Sequence, residues 1–330
     1  MTPSGSAAPR RLPFERPRLI VIVDTEEEFD WSGGFQREAT SVSAMDEIGR
    51  LQEVCDAFGI RAEYVVDYPV ATHGPSARRL GEFRRTNRAE IGAHLHPWVT
   101  PPFVEEVSVR NSFPGNLDRD LERSKIESTA NAIESSFGIR PRVYKAGRYG
   151  IGPNTPDTLV DLGFEVDMSA CPAFDFSADG GPDFSGQLAE SLWLNDGGRP
   201  LLEIPNTAGF VGIVGATSPS LYRLVSRPAM ERARVPGILS RLGVIERIML
   251  SPEGHDLDEL RRLTVTLFRR GLRVFTFSLH SPSLKPGCTP YVRTAEDRRE
   301  LLERCRGYFR FFVEELGGHP ALPGEVREEL

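Results

Sequence analysis

Read for alternation, the chain is a series of short apolar runs separated by longer stretches with helical spacing. The runs at 19–23, 62–66, 90–96, 142–145, 165–168, 201–204, 247–250 and 273–279 have the length and β-branched content of strands. Amphipathic patterns over 44–58, 117–137, 257–269 and 295–316 predict helices. Gly59 and Gly138 stand where two of them would stop, and Ser251 or Asp256 where one would be capped. Strands alternating with helices predict parallel βα units. About eight such strands predict an α/β fold, a closed or nearly closed parallel barrel.

Parity within three of the runs separates two faces, because successive side chains in a strand point to opposite sides. In Glu90-Ile91-Gly92-Ala93-His94-Leu95-His96, the residues Gly92, His94 and His96 share one face and Ile91, Ala93 and Leu95 the other. In the last run Phe275, Phe277 and Leu279 oppose Thr276, Ser278 and His280. In the first, Ile20, Ile22, Asp24 and Glu26 fall together if the chain stays extended through Thr25. Polar chemistry thus arrives at the C-terminal ends of strands, where barrel enzymes build their active sites.

Composition narrows the class. The chain has 330 residues, 39% hydrophobic and 26% charged, ordinary for a globular protein. Its 47 acidic and 40 basic residues are mixed, with a net charge of −7, so no basic footprint for nucleic acid is present. Cys55, Cys171, Cys288 and Cys305 are scattered without a CxxC pair, which fits reduced thiols in a cytoplasmic protein. No run approaches the length of a membrane span. Residues 1–17 read as a disordered leader and 18–330 as one barrel domain. Gly-rich segments at about 171–200 and 205–246, the latter with an arginine-rich helical pattern over 222–241, read as long insertions. They leave room for a homo-oligomer.

Asp24-Thr25-Glu26-Glu27-Glu28 concentrates carboxylates after the first strand. Such a cluster is either a solvated loop or a cation site, since like charges raise one another's pKa. His94 and His96 are either satisfied by backbone and carboxylates or joined with an acid as a divalent metal site. His280, on the polar face of the last strand, suits a general acid or base. Asp67, ending the second strand, could reach a pocket or cap a helix. Glu203, Glu253 and His255 also lie near strand ends, and Trp31, Trp98, Phe103 and Tyr291 could form stacking surfaces or pack.

Five blocks in order resemble the polysaccharide deacetylase superfamily, also called NodB-homology or carbohydrate esterase family 4. They are the acidic cluster, EIGxH at 90–94, Lys145-Ala146-Gly147-Arg148-Tyr149-Gly150, Asp167-Met168-Ser169, and Leu279-His280-Ser281. The segments 24–31, 94–102, 111–117 and 280–292 look closest to its WalW-type branch. The resemblance covers about residues 18 to 317 and implies an irregular barrel, often of seven strands, that removes acetyl groups from sugars with a divalent metal, zinc foremost. It implies Asp24 as general base, His94 as a metal ligand and His280 as general acid, with a backbone N–H near Tyr149 on the oxyanion. Where the family has a second acidic ligand this chain has Thr25, so the role passes to Glu26. Where it has a second histidine, four residues after the first, this chain has Trp98, so His96 is the substitute. Lys145 or Arg148 would replace the arginine that orients the base. Trp31, Trp98, Tyr149 and Asp67 are the residues expected to meet substrate.

The leading expectation is a metal-dependent hydrolase acting on the amide of an acetylated amino sugar or glycan precursor. The alternatives are a barrel that has lost catalysis and binds carbohydrate or a protein partner, and a hydrolase of non-sugar amides.

Overall fold

The structure is a computed structural model that describes residues 14–194, 200–212 and 245–330. The expected leader, except for 14–17, and the helical pattern at 222–241 lie outside the described residues. Phe14 and Pro17 are buried, and Phe14 packs in the barrel interior with Ile20, Val274 and Val326.

Eleven strands are described: β1 (Arg18–Thr25), β2 (Ala62–Val66), β3 (Ala89–Leu95), β4 (Val143–Ala146), β5 (Val166–Asp167), β6 (Leu192–Leu194), β7 (Leu201–Glu203), β8 (Ala208–Val211), β9 (Glu246–Met249), β10 (Val274–His280) and β11 (His319–Pro320). Seven form a continuous parallel ladder in the order β10-β1-β2-β3-β4-β5-β7, with β6 antiparallel on its edge. This is the mostly parallel, curled sheet that the alternating pattern predicts. The run at 247–250 departs from expectation: it lies outside the ladder, as β9, pairing antiparallel with β8. That ribbon stands between the ladder's ends, because Ser278 N–H donates to Leu250 O and Asn206 N–H to Ala170 O.

Among the described residues the α-helices are α1 (Ile48–Asp56), α2 (Tyr68–Thr72), α3 (Gly74–Arg85), α4 (Arg119–Phe137), α5 (Thr155–Asp161), α6 (Leu257–Arg269), α7 (Ala295–Arg310) and α8 (Pro323–Glu329). Local chemistry sets their ends. Gly138 closes α4 at φ 69°, in the left-handed region glycine enters cheaply. Asp256, not Ser251, caps α6 through a reciprocal box with Glu259.

The two faces follow the parity of each strand. Leu19, Val21 and Val23 of β1, Ile91, Ala93 and Leu95 of β3, and Phe275, Phe277 and Leu279 of β10 pack outward with the helices. Ile20, Ile22, Val65, Val143, Val166 and Leu202 fill the interior. Along β1 and β4 the interior face is apolar first and polar at the C-terminal end: Ile20 and Ile22 precede Asp24, and Val143 precedes Lys145. The apolar floor anchors the barrel by burying area at about 25 cal/mol per Å² and leaves the polar residues at one rim.

Candidate active site

Register brings chemistry from distant positions side by side. Asp24 lies opposite His280 across β1 and β10, and His94 opposite Lys145 across β3 and β4. On a flat sheet β1 and β4 would be about 14 Å apart, three strand spacings of roughly 4.8 Å. The curl closes that gap, for Lys145 Nζ donates to both Asp24 carboxylate oxygens at 2.7 Å.

Asp24 and Lys145 are both buried. Burial alone would raise the Asp24 pKa, but the Lys145 charge, with help from His94 and His280, holds it below its ordinary value. Asp24 is therefore a carboxylate near neutrality, and its Oδ2 lies 3.7 Å from His280 Nε2.

His280 is oriented from behind by Glu253, whose Oε2 is 2.7 Å from His280 Nδ1. Glu253 is in turn held by Ser283 Oγ and by the His280 backbone N–H. Burial pulls the imidazole toward the neutral form, yet Glu253, Glu26 and Asp24 outweigh it and raise its pKa to about 10. His280 is thus charged at pH 7, with Nε2 free to give a proton toward the cleft.

Glu26, His94 and His96 converge on one point. His94 Nε2 is 3.2 Å from His96 Nε2, and Glu26 Oε2 is 3.3 Å and 3.5 Å from the two. His94 Nδ1 is 3.0 Å from Lys145 O, a carbonyl, and His96 Nδ1 is 2.8 Å from Glu27 Oε2. The Lys145 carbonyl can only accept, so His94 Nδ1 carries the hydrogen, and an ionised Glu27 places one on His96 Nδ1; this assigns the bare lone pairs to the two Nε2 atoms. Burial drives both imidazoles toward the neutral form, His96 to a pKa of about 4. Two lone pairs at 3.2 Å repel unless a cation lies between them. Ligand atoms about 2.0–2.1 Å from a tetrahedral ion are about 3.3 Å apart, so this triangle fits one face of such a site. Burial raises Glu26 to about 7, and its Oε1 is buried without a hydrogen-bond partner. A divalent ion would satisfy both. Thr25 turns its hydroxyl back to Val23 O and takes no part.

Gly147 makes this packing possible. A Cβ there would overlap the Leu95 carbonyl and the His96 ring, lying 2.9 Å from Nε2. The next two residues, Arg148 and Tyr149, hold φ of 54° and 60°, a left-handed pair without glycine. Such strain concentrates at functional sites.

Several expected residues have other duties. Arg148 does not reach Asp24: its guanidinium donates to Ser112 Oγ at 2.7 Å and Asp179 Oδ2 at 2.8 Å and lies over the Phe113 ring. The residue on Asp24 is Lys145. Trp98 is buried rather than available to substrate; it stacks on His96 and donates Nε1–H to Glu27 Oε1 at 2.8 Å. Asp67 is fully buried as the cap of α2, accepting from Val70 N–H and Glu27 N–H. Glu203 accepts from Ala170 N–H beside Asp167, away from the cleft. Trp31 and Tyr149 do line the cleft.

The cleft, about 490 Å³, is bounded by Phe29, Trp31, Phe174, Phe176 and Tyr291 above the polar floor of Asp24, Glu26, His94, His96 and His280. Trp31 stands edge-on to His280 at 5.2 Å and to Tyr291 at 5.7 Å. Sequence reasoning did not assign roles to Glu27 or to Gly147, and gave Glu253 none beside His280. The signal for Glu253 was weak: its spacing from a strand end placed it near the rim without naming a partner.

No family model matches the chain, and no curated protein sequence matches it. Solved structures do resemble it in fold. A protein from Mycobacterium smegmatis assigned as a polysaccharide deacetylase is 16% identical over 98% of this chain and 93% of its own, with a TM-score of 0.56. An allantoinase is 14% identical over 98% and 94%, also at 0.56. A polysaccharide deacetylase assignment from Pseudomonas aeruginosa is 13% identical over 94% and 90%, at 0.52. The chain has the deacetylase-like (β/α) barrel fold.

Proposed function

We propose that the cleft is the active site of a metal-dependent hydrolase that removes an acetyl or other acyl group from the nitrogen of an amino sugar or glycan precursor. The observation that carries this reading is the donor triangle of Glu26, His94 and His96 beside a lysine-held carboxylate and a carboxylate-held imidazolium. These three residues would hold a divalent ion, zinc being the metal whose usual donors they match. When bound, such an ion polarises an acyl oxygen and eases deprotonation of water at neutral pH.

The chain's own groups supply the proton transfers. Asp24, kept ionised by Lys145, accepts the proton of the attacking water. His280, kept protonated by Glu253, delivers a proton from Nε2 to the departing amine nitrogen. Preorganisation of both by buried partners means that little rearrangement is needed as charge develops. Tyr149, in its strained turn, offers a backbone N–H for the oxyanion. Trp31 and Tyr291 present apolar ring faces against which a sugar could stack. The deacetylase assignments of two similar structures support this substrate class, and the sequence blocks at 24–31, 94–102, 111–117 and 280–292 support the WalW-type branch. That one allantoinase is as similar in fold favours a second reading, hydrolysis of a non-sugar amide by the same groups.

Metal analysis of the purified protein, repeated on His94→Ala and His96→Ala, tests the proposal. Stoichiometric metal that both substitutions abolish is expected; no metal at any pH near neutrality would overturn it. Acetate release from a panel of acetylated amino sugars, set beside cyclic amides, separates the two readings.

A further inference from the structure

We propose that Glu27 is a positioning residue that sets which nitrogen of His96 faces the Glu26–His94 pair. The inference rests on the preceding reading of that cluster and adds to it the group that makes an H-x-H arrangement work. His94 lies on β3, where the neighbouring strand offers the Lys145 carbonyl to its Nδ1–H. His96 lies one residue past the end of β3, and its Nδ1 faces a side chain instead of a strand carbonyl. Its ring plane is fixed by packing: Trp98 stacks on it at 4.2 Å between centroids and 22° between planes, and Gly147 backs it. Packing fixes a plane but cannot choose between a ring and its flipped form, which have nearly the same shape. The Glu27 carboxylate makes that choice. Oε2 takes His96 Nδ1–H and Oε1 takes Trp98 Nε1–H, both at 2.8 Å. Glu27 is fully buried, and among the described residues the basic side chain beside its carboxylate is the His96 imidazole. Its backbone N–H is pinned to Asp67 Oδ2 at 2.8 Å, so the carboxylate enters from a fixed point. One carboxylate thus locks a histidine and a tryptophan two residues apart.

The test uses the full chain stripped of metal. Zinc binding is measured by calorimetry for the wild type, Glu27→Gln and Trp98→Phe, and the His96 tautomer is read by nitrogen NMR in the zinc-free wild type. Glutamine keeps the shape but has one acceptor oxygen for two N–H donors, so zinc affinity should fall by about 10–100-fold, as for other groups that orient metal-bound histidines. Trp98→Phe keeps the ring stack and the Glu27–His96 bond and should stay within about threefold of wild type. The wild-type tautomer should be Nδ1–H. Equal affinity in Glu27→Gln, an equal loss in Trp98→Phe, or an Nε2–H tautomer would overturn the inference. The tautomer decides it even if Glu27→Gln does not fold. A wild type that binds no zinc but shows the Nδ1–H tautomer overturns the preceding reading and leaves the role of Glu27 standing.

Discussion

Two carboxylates of the same cluster, Asp24 and Glu26, sit two residues apart and are pushed in opposite directions. Lys145 touches one and no fixed cation touches the other, so one pKa falls and the other rises to about 7. The same logic separates the histidines: Glu253 keeps His280 charged, while burial keeps His94 and His96 neutral. The charge state of each group is therefore set by its neighbours rather than by residue type. An amine needs a proton to leave more than an alkoxide does, so His280→Gln should slow amide substrates by at least tenfold more than the matching esters. Paired kinetics on one sugar would measure this, and equal losses would remove His280 from the acid role. Gly147→Ala should weaken metal binding by tenfold or more, because its methyl occupies the space of the His96 ring. Calorimetry with zinc gives the answer, and unchanged affinity would mean that β4 shifts to make room.

Elements carry the site by ending where they do. The strands deliver Asp24, Lys145 and His280 in their last turns of alternation, and the sharp exits at Thr25, Ala146 and His280 put the following residues into rim loops. Asp67 illustrates how an element boundary absorbs a residue that could have been functional. It closes β2, caps α2 and ties down the β1 exit through Glu27 N–H. Asp67→Ala removes a cap worth about 1 kcal/mol and strands a buried N–H at a cost of about 1–3 kcal/mol. Urea unfolding of the metal-free protein should show a loss in that combined range; a change below about 0.5 kcal/mol would mean that the cap is dispensable.

Across the whole molecule, burial raises a set of acids that no fixed cation offsets: Glu27 and Glu122 to about 7, Glu63 to about 8 and Asp167 to about 6. Each binds a proton in the folded state at pH values where the unfolded chain has lost it. The stability they confer is complete below their unfolded pKa values, near 4, and is lost as pH rises toward 6 to 8. The lowered histidines, His94 and His96, act the other way up to their ordinary value of 6.5, but they are fewer. The thermal midpoint of the metal-free protein should therefore fall between pH 5 and pH 8, as calorimetric scans in a chelating buffer would show. A midpoint that rises over that range would mean these acids are ionised in the fold.

Sequence alone determined the class of fold and the face on which each strand residue falls, because period-2 alternation is a local property. Ile20 and Ile22 against Val21 and Val23, or Phe275 and Phe277 against Thr276 and Ser278, needed no partner to be sorted. It also put Asp24, Glu26, His94, His96, Lys145 and His280 at strand ends. What it could not supply was distance across the sheet. Lys145 rather than Arg148 sits on Asp24, Trp98 is buried behind His96 rather than open to substrate, and Glu253 stands behind His280, because the curl of the ladder and the course of its loops decide which strand ends meet. Glu27 shows the limit most clearly: among four carboxylates in five residues, only the tertiary structure distinguishes the one turned inward to hold a histidine, since that depends on Asp67 and Trp98 arriving from other segments of the chain.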